Sequence, residues 1–97
     1  MKKTVRVTIE KEIEIDIPDE FLTEEFISEF ESYMFELDDE DKRDGIFKHV
    51  AYCSANDMAH AEGVGYLRSK WEQQHNPDEA MIVVHNTVDD TETEIVE

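Results

Sequence analysis

The sequence is poor in cysteine, glycine, proline and basic residues, and each shortage excludes a class of protein. Its 97 residues include one Cys, three Gly and two Pro. The single Cys53 excludes an intramolecular disulfide framework and is typical of a reducing compartment. No apolar run has the length of a membrane span, and no apolar signal-peptide core follows the N-terminal lysines. We therefore expect a cytoplasmic protein, or one in the host cytoplasm if a phage encodes it.

The motifs of nucleotide and metal chemistry are also missing. There is no G-x-G-x-x-G, no G-x-x-x-x-G-K-[ST], no H-E-x-x-H and no paired C-x-x-C. His49 and Cys53, followed by Asp57 and His60, have a spacing that can place two ligands on one helix face. A partly buried cysteine beside solvent-facing histidines explains that pattern equally well. We predict no metal, no cofactor and no catalytic residue, because the many carboxylates lie in exposed rows without a pocket.

Negative charge is what the sequence has in excess. Asp and Glu total 26 against nine Lys and Arg, which gives a net charge of −17. Residues 10–44 hold 16 of these acids and residues 89–97 hold five, with no base in the second segment. Regularly spaced apolar residues between the acids favour a folded domain over a disordered chain. The charge opposes direct binding to nucleic acid or to an anionic membrane, so the expected partner is a basic protein.

The stretch IEKEIEIDIP, residues 9–18, continues a period-two pattern that begins at Val5. Apolar residues occupy the odd positions up to Ile17, apart from Lys11, which is typical of a strand with one buried face. We predict one long strand over residues 4–17, with a hairpin turning near Lys11 as the alternative. The other face of this strand would carry carboxylates about 6.6–6.8 Å apart. These carboxylates are Glu10, Glu12, Glu14 and Asp16.

Apolar residues from Leu22 to Leu37 recur near the helical period and predict a first helix with Thr23 as its N-cap. Its outer face would carry a row of acids, namely Glu25, Glu29 and Glu36, flanked by Glu24 and Glu31. A charge run over residues 38–45 ends this helix, and a second helix is predicted after Asp44.

Residues 56–77 predict a third helix, with Asp57 as its cap and Trp71 in its apolar stripe. A break near Gly63 and Gly65 is the alternative, because each glycine weakens a helix by about 1 kcal/mol. Residues 80–86 and 91–97 predict a C-terminal hairpin that turns near residues 89 and 90. The whole chain, 1–97, is thus predicted as one acidic α+β domain. Its small, mostly antiparallel sheet would pack two or three helices on one face.

Three functions fit this pattern. In the first, the acids imitate nucleic acid and occupy a Lys/Arg-rich site of a nucleic-acid-handling protein. The chain resembles, in size and charge alone, the small acidic inhibitors that phages and mobile elements make against restriction or CRISPR enzymes. The predicted contact residues are Glu10, Glu12, Glu14, Asp16, Glu24, Glu25, Glu29, Glu31, Glu36, Asp38 and Asp39.

The second function is that of an acidic adaptor or regulatory subunit, in which the acids serve only solubility. It would bind through the more neutral segment that contains Gly63, Gly65 and Tyr66, or form a homodimer by pairing a sheet edge. In the third, the acids are a solvated surface without a partner. Charge reversal along the strand and helix rows would abolish the first function and spare the second.

Overall fold

The computed structural model describes all 97 residues and shows an α+β fold. Its four strands form one sheet in the order β1-β4-β3-β2, in which only the pair β3–β4 is parallel. The predicted fold class and the long N-terminal strand are confirmed. The elements are β1 (Val5–Asp16), a 3₁₀ turn (Asp19–Phe21), α1 (Glu24–Tyr33), α2 (Lys42–Ala55), β2 (His60–Ala61), β3 (Gly65–Arg68), α3 (Lys70–His75) and β4 (Ile82–Ile95).

The predicted C-terminal hairpin is wrong, because β4 is a single strand of 14 residues. It runs straight through the acids where the turn was expected and pairs with β1, from Val5 opposite Ile95 to Asp16 opposite Val83. No glycine or Asn-Gly pair is present there to supply the positive φ angles of a tight turn. One register shift after Glu12 adds a residue to β4 at this point, which is a β-bulge.

The core lies at one end of the sheet. Phe30 of α1, Ile46 and Val50 of α2, and Ile82 of β4 are each at most 2% exposed and belong to one cluster with Ile17. In this cluster α1 packs on α2, and α2 lies against β1, whose Ile15 contacts the cluster. No helix is long and apolar enough to cross a bilayer.

The first two helices differ from prediction mainly at their ends. Thr23 caps α1 as predicted, accepting a hydrogen bond from the Phe26 amide at 3.1 Å. However, α1 ends at Tyr33, four residues before Leu37. The second helix begins at Lys42, earlier than predicted, because the Asp41 carboxylate caps it by accepting from the Arg43 amide at 3.0 Å.

The predicted third helix is largely wrong, and the alternative break near the glycines is what the structure shows. A short β2–β3 hairpin replaces its first half, and α3 covers only Lys70–His75, with Ser69 and Glu72 forming a capping box. Trp71, predicted in the core, is 64% exposed and stacks on His75 with ring centroids 4.0 Å apart. The helical spacing of apolar residues is therefore overridden by the tertiary packing of the hairpin.

Candidate acidic interface

Beyond the core, β1 and β4 continue as a two-stranded antiparallel ribbon. This distal ribbon consists of residues 5–12 of β1 and residues 88–95 of β4. All of its residues are exposed except Lys11, which is half-buried. Directly opposed residues of an antiparallel pair point to the same face, so the register assigns every side chain of the distal ribbon to one of two faces.

One face of the distal ribbon, the acidic ribbon face, carries five carboxylates. They are Glu10, Glu12, Asp90, Glu92 and Glu94. Glu10 stands directly opposite Asp90, while Glu92 stands opposite Thr8. The only cation on this face is Arg6, whose guanidinium lies 3.6 Å from the Glu94 carboxylate. The second row of negative charge therefore comes from β4, next to the row on β1.

The density of this charge can be compared with that of DNA. Five carboxylates and one arginine over four cross-strand levels about 6.7 Å apart give a net charge of −4, or about one negative charge per 6.7 Å. One DNA strand carries a charge about every 3.4 Å, and the duplex about every 1.7 Å. The acidic ribbon face is thus sparser than one strand, but it is of the same order and uninterrupted by free cations.

This arrangement costs the fold stability. Like charges directly opposite each other across two strands are destabilising, by about 0.2–1 kcal/mol for a pair. Glu10 and Asp90 form such a pair on a ribbon that has no helix behind it. Chemically, the face can attract ammonium and guanidinium groups and accept their hydrogen bonds.

Glu14 and Asp16 lie on the same side of β1 but nearer the core. The Glu14 carboxylate is 3.2 Å from the Lys70 ammonium of α3, and its cross-strand neighbour is His85. Asp16 is exposed opposite the buried Val83. The row of acids on β1 is therefore partly compensated by Lys70 at the end of the strand nearest the core.

The predicted helix row is only partly present. Glu24, Glu25 and Glu29 are exposed on α1, but Glu36 and Asp38 lie in the loop after the helix, so the row that was to include Glu36 does not form. Because α1 ends before Glu36, the helix does not supply the second row of carboxylates that was expected beside β1.

Two more of the predicted contact residues, Glu31 and Asp39, also form bonds within the chain. Glu31 accepts from the Lys42 ammonium at 2.7 Å and from the Leu37 amide at 3.1 Å, while Asp39 pairs with Lys48. The side chains of Glu31 and Asp39 are only 17% and 21% exposed. The Lys42 and Leu37 hydrogen bonds hold the pKa of Glu31 below its ordinary value. Glu31 thus joins α1 to α2, and Asp39 joins the loop between these helices to α2.

We expect Glu31→Gln to lower the midpoint of thermal unfolding at neutral pH, because the ion pair and the charged acceptor are lost. Ionised Glu31 stabilises the fold fully above its ordinary pKa of 4.5, and this contribution disappears as pH falls through the lowered folded value. The difference between Glu31→Gln and the wild type should therefore shrink below pH 4.5. Circular dichroism melts over a pH series measure it. Glu25→Gln, at an exposed position of the same helix, is the control, and an equal effect of both changes would contradict the assignment.

The predicted alternative surface maps to the β2–β3 hairpin. Gly63 has a φ of 80°, and a Cβ there would lie 2.8 Å from the Met34 Cγ atom, so this residue is required by the packing. Tyr66 is 67% exposed, with the Arg68 guanidinium 5.5 Å from its ring centroid. Gly65 precedes it in β3. Of these residues, Tyr66 is the one available to a partner.

A pocket of about 590 Å³ opens between the end of α1 and the side of α2. Exposed apolar side chains line it, including Phe35, Tyr52 and Met58. On its wall, the His49 Nε2 atom lies 2.8 Å from the Glu62 carbonyl oxygen and 3.9 Å from the Cys53 sulfur. Burial raises the pKa of the Cys53 thiol, which opposes thiolate chemistry. No group of three His, Cys, Asp or Glu side chains in the chain is placed to hold a metal ion.

Sequence reasoning missed Asp90, Glu92 and Glu94 as part of the acidic ribbon face. The signal was present, because these acids alternate with other residues at the same period of two as Glu10 and Glu12. Assigning residues 89 and 90 to a turn concealed it.

Comparison with protein-family models, with curated proteins and with solved structures gave no match.

Proposed function

We propose that this protein is a non-enzymatic inhibitor that imitates nucleic acid. The acidic ribbon face would occupy a groove that a nucleic-acid-handling protein uses for phosphates. The observation that carries the proposal is the pair of adjacent acidic rows on an exposed ribbon, with Glu10 directly opposite Asp90. Such clustering destabilises the fold, and a binding role gives a reason for its presence.

Binding of this kind depends on long-range attraction. A net charge of −17 speeds association with a basic groove, and carboxylates then replace phosphates as acceptors for Lys and Arg. Because the contacts are exposed, salt should screen them strongly. The proposed target is a basic nuclease, CRISPR complex or other DNA- or RNA-binding protein in the cytoplasm where the chain is made.

The test is capture of partners by the tagged protein from a lysate of its own host, with elution by rising salt. We expect a nucleic-acid-binding protein that is released as salt rises and is displaced by added duplex DNA. Mass spectrometry of each fraction identifies it. A partner that resists high salt and ignores DNA would overturn the proposal.

The second candidate is an adaptor that binds through an apolar surface. The exposed Phe35, Tyr52 and Met58 around the pocket favour it, because large apolar side chains are enriched where proteins meet. Tyr66 offers a separate aromatic contact. An adaptor should lose its partner when Tyr52 or Tyr66 is changed to alanine, whereas a mimic should retain it.

A further inference from the structure

The face of the distal ribbon opposite the acidic ribbon face has four aliphatic side chains among its eight residues and carries no net charge. We call it the apolar ribbon face. Its one charged pair, Lys11 opposite Asp89, cancels. Its remaining members are Val5, Val7, Ile9, Thr91, Thr93 and Ile95.

This apolar face continues the face of β1 that is buried in the core. The exposed fraction is 5% at Ile17, where α1 and α2 cover the strand, and 60% at Ile9. Ile13 and Ile15, between them, are half-buried. The sequence thus has the pattern of a strand with one buried face over its whole length, while the helices cover only the end nearest the core.

The protein exposes far more surface than a compact chain of its mass. Its accessible area is 7379 Å², whereas about 5,800 Å² is expected for a folded monomer of 11.4 kDa. Its radius of gyration is 16.7 Å, against about 12.5 Å for a compact domain of 97 residues. The excess of about 1,600 Å² belongs to the whole chain, and the exposed apolar ribbon face contributes to it; a standard interface removes about 800 Å² from each partner.

We propose that two copies of the chain pack their apolar ribbon faces against each other in a two-fold dimer. The face can contact its own copy, since it carries aliphatic side chains and no net charge, and a two-fold axis brings the same patch of both copies together in an isologous contact. A basic partner would instead be drawn to the acidic ribbon face. An isolated two-stranded ribbon is only marginally stable in water, so burial of Val7 and Ile9 would also hold the distal ribbon together.

The charge of the two copies does not prevent this packing. Stacked sheets lie about 10 Å apart, and the acidic ribbon faces would point outward from both of them. Charges on opposite sides are then separated by more than the Debye length of about 8 Å at physiological salt. The dimer would present two acidic faces, which doubles its charge along the ribbon to about the density of one DNA strand.

Sedimentation velocity of the full chain over a concentration series tests the dimer. We expect a monomer–dimer equilibrium that salt shifts toward the dimer, since salt screens the repulsion between two acidic copies. Target binding should respond to salt in the opposite direction. The two proposals can therefore fail independently.

Two variants with the same change in charge locate the interface. Ile9→Lys, on the apolar ribbon face, should weaken dimerisation at least tenfold, because it adds to the contact an ammonium that, unlike that of Lys11, has no acid opposite it. Thr8→Lys, one residue away on the acidic ribbon face, should leave the dimer intact. Circular dichroism checks that both fold, and Ile9→Thr replaces Ile9→Lys if the lysine variant does not. A wild-type monomer at every concentration and salt, or equal effects at positions 8 and 9, would overturn the proposal.

Discussion

Replacing four acids of the acidic ribbon face by their amides is expected to weaken target binding about 30-fold while making the protein more stable. The variant is Glu10→Gln, Glu12→Gln, Asp90→Asn and Glu92→Gln. Each exposed contact with a basic groove contributes about 0.5 kcal/mol, so four contribute about 2 kcal/mol. Amides keep the shape and β-strand pairing of the ribbon. The loss would therefore come from charge alone.

The gain in stability has a separate cause. Glu10 and Asp90 repel each other across the strand pair, and their neutralisation removes about 0.2–1 kcal/mol of that repulsion. The midpoint of thermal unfolding should rise at low salt and approach that of the wild type at high salt. Opposite changes in binding and stability indicate residues that are maintained for recognition at a cost to the fold.

A matched variant removes the same number of charges elsewhere. Asp19→Asn, Glu20→Gln, Asp78→Asn and Glu79→Gln are exposed positions away from the distal ribbon. Isothermal titration with the captured target should give near wild-type affinity for this variant at moderate salt. Equal losses for the two variants would mean that only the net charge matters, which would contradict a defined interface on the distal ribbon.

Features that depend on neighbouring residues could be predicted from the sequence. The period-two pattern of β1 is local, and so is the cap at Thr23, whose hydroxyl accepts from an amide three residues later. The pairing of β1 with β4 joins residues about 80 positions apart, and nothing near Asp90 indicates it. Asp89 and Asp90 predict a turn because aspartate is common in turns. In the structure they lie within β4, where pairing with the long strand β1 keeps the chain extended.

The prediction of the candidate site was partly wrong for the same reason, because one of its two rows depends on residues that are distant in the sequence. The row on β1 was predicted because its four acids share one local pattern. The sequence predicts the second row on α1, because Glu36 follows Glu25 and Glu29 at the helical period. Glu31 accepts from the Leu37 amide and redirects the chain after the helix ends. Only tertiary structure shows that β4, and not α1, lies beside β1.

The last prediction concerns Gly63, which the adaptor hypothesis would assign to an interface. We expect Gly63→Ala to destabilise the fold by about 2–5 kcal/mol. A left-handed backbone conformation costs a residue with a Cβ about 1–2 kcal/mol, and displacing the Met34 and Phe30 side chains beneath this exposed glycine adds about 1–3 kcal/mol. Here the φ is 80°, and the new Cβ would lie 2.8 Å from the Met34 Cγ and 2.9 Å from the Phe30 ring. Urea unfolding followed by circular dichroism measures the change.

Gly45→Ala is the control for this substitution. Gly45 is buried within α2, where alanine is favoured by about 1 kcal/mol. Its Cβ would meet the Asp39 carboxylate at 2.9 Å and Leu37 at 3.0 Å, contacts similar to those at Gly63, but Gly45 has a helical backbone and avoids the cost of a left-handed one. Gly63→Ala should therefore cost clearly more than Gly45→Ala, and similar costs would show that the hairpin tolerates a side chain. If Gly63→Ala costs clearly more stability than Gly45→Ala, then a failure of Gly63→Ala to bind a partner would be explained by unfolding. Tyr66→Ala, which removes an exposed ring and leaves the hairpin backbone unchanged, is then the informative test of the adaptor hypothesis.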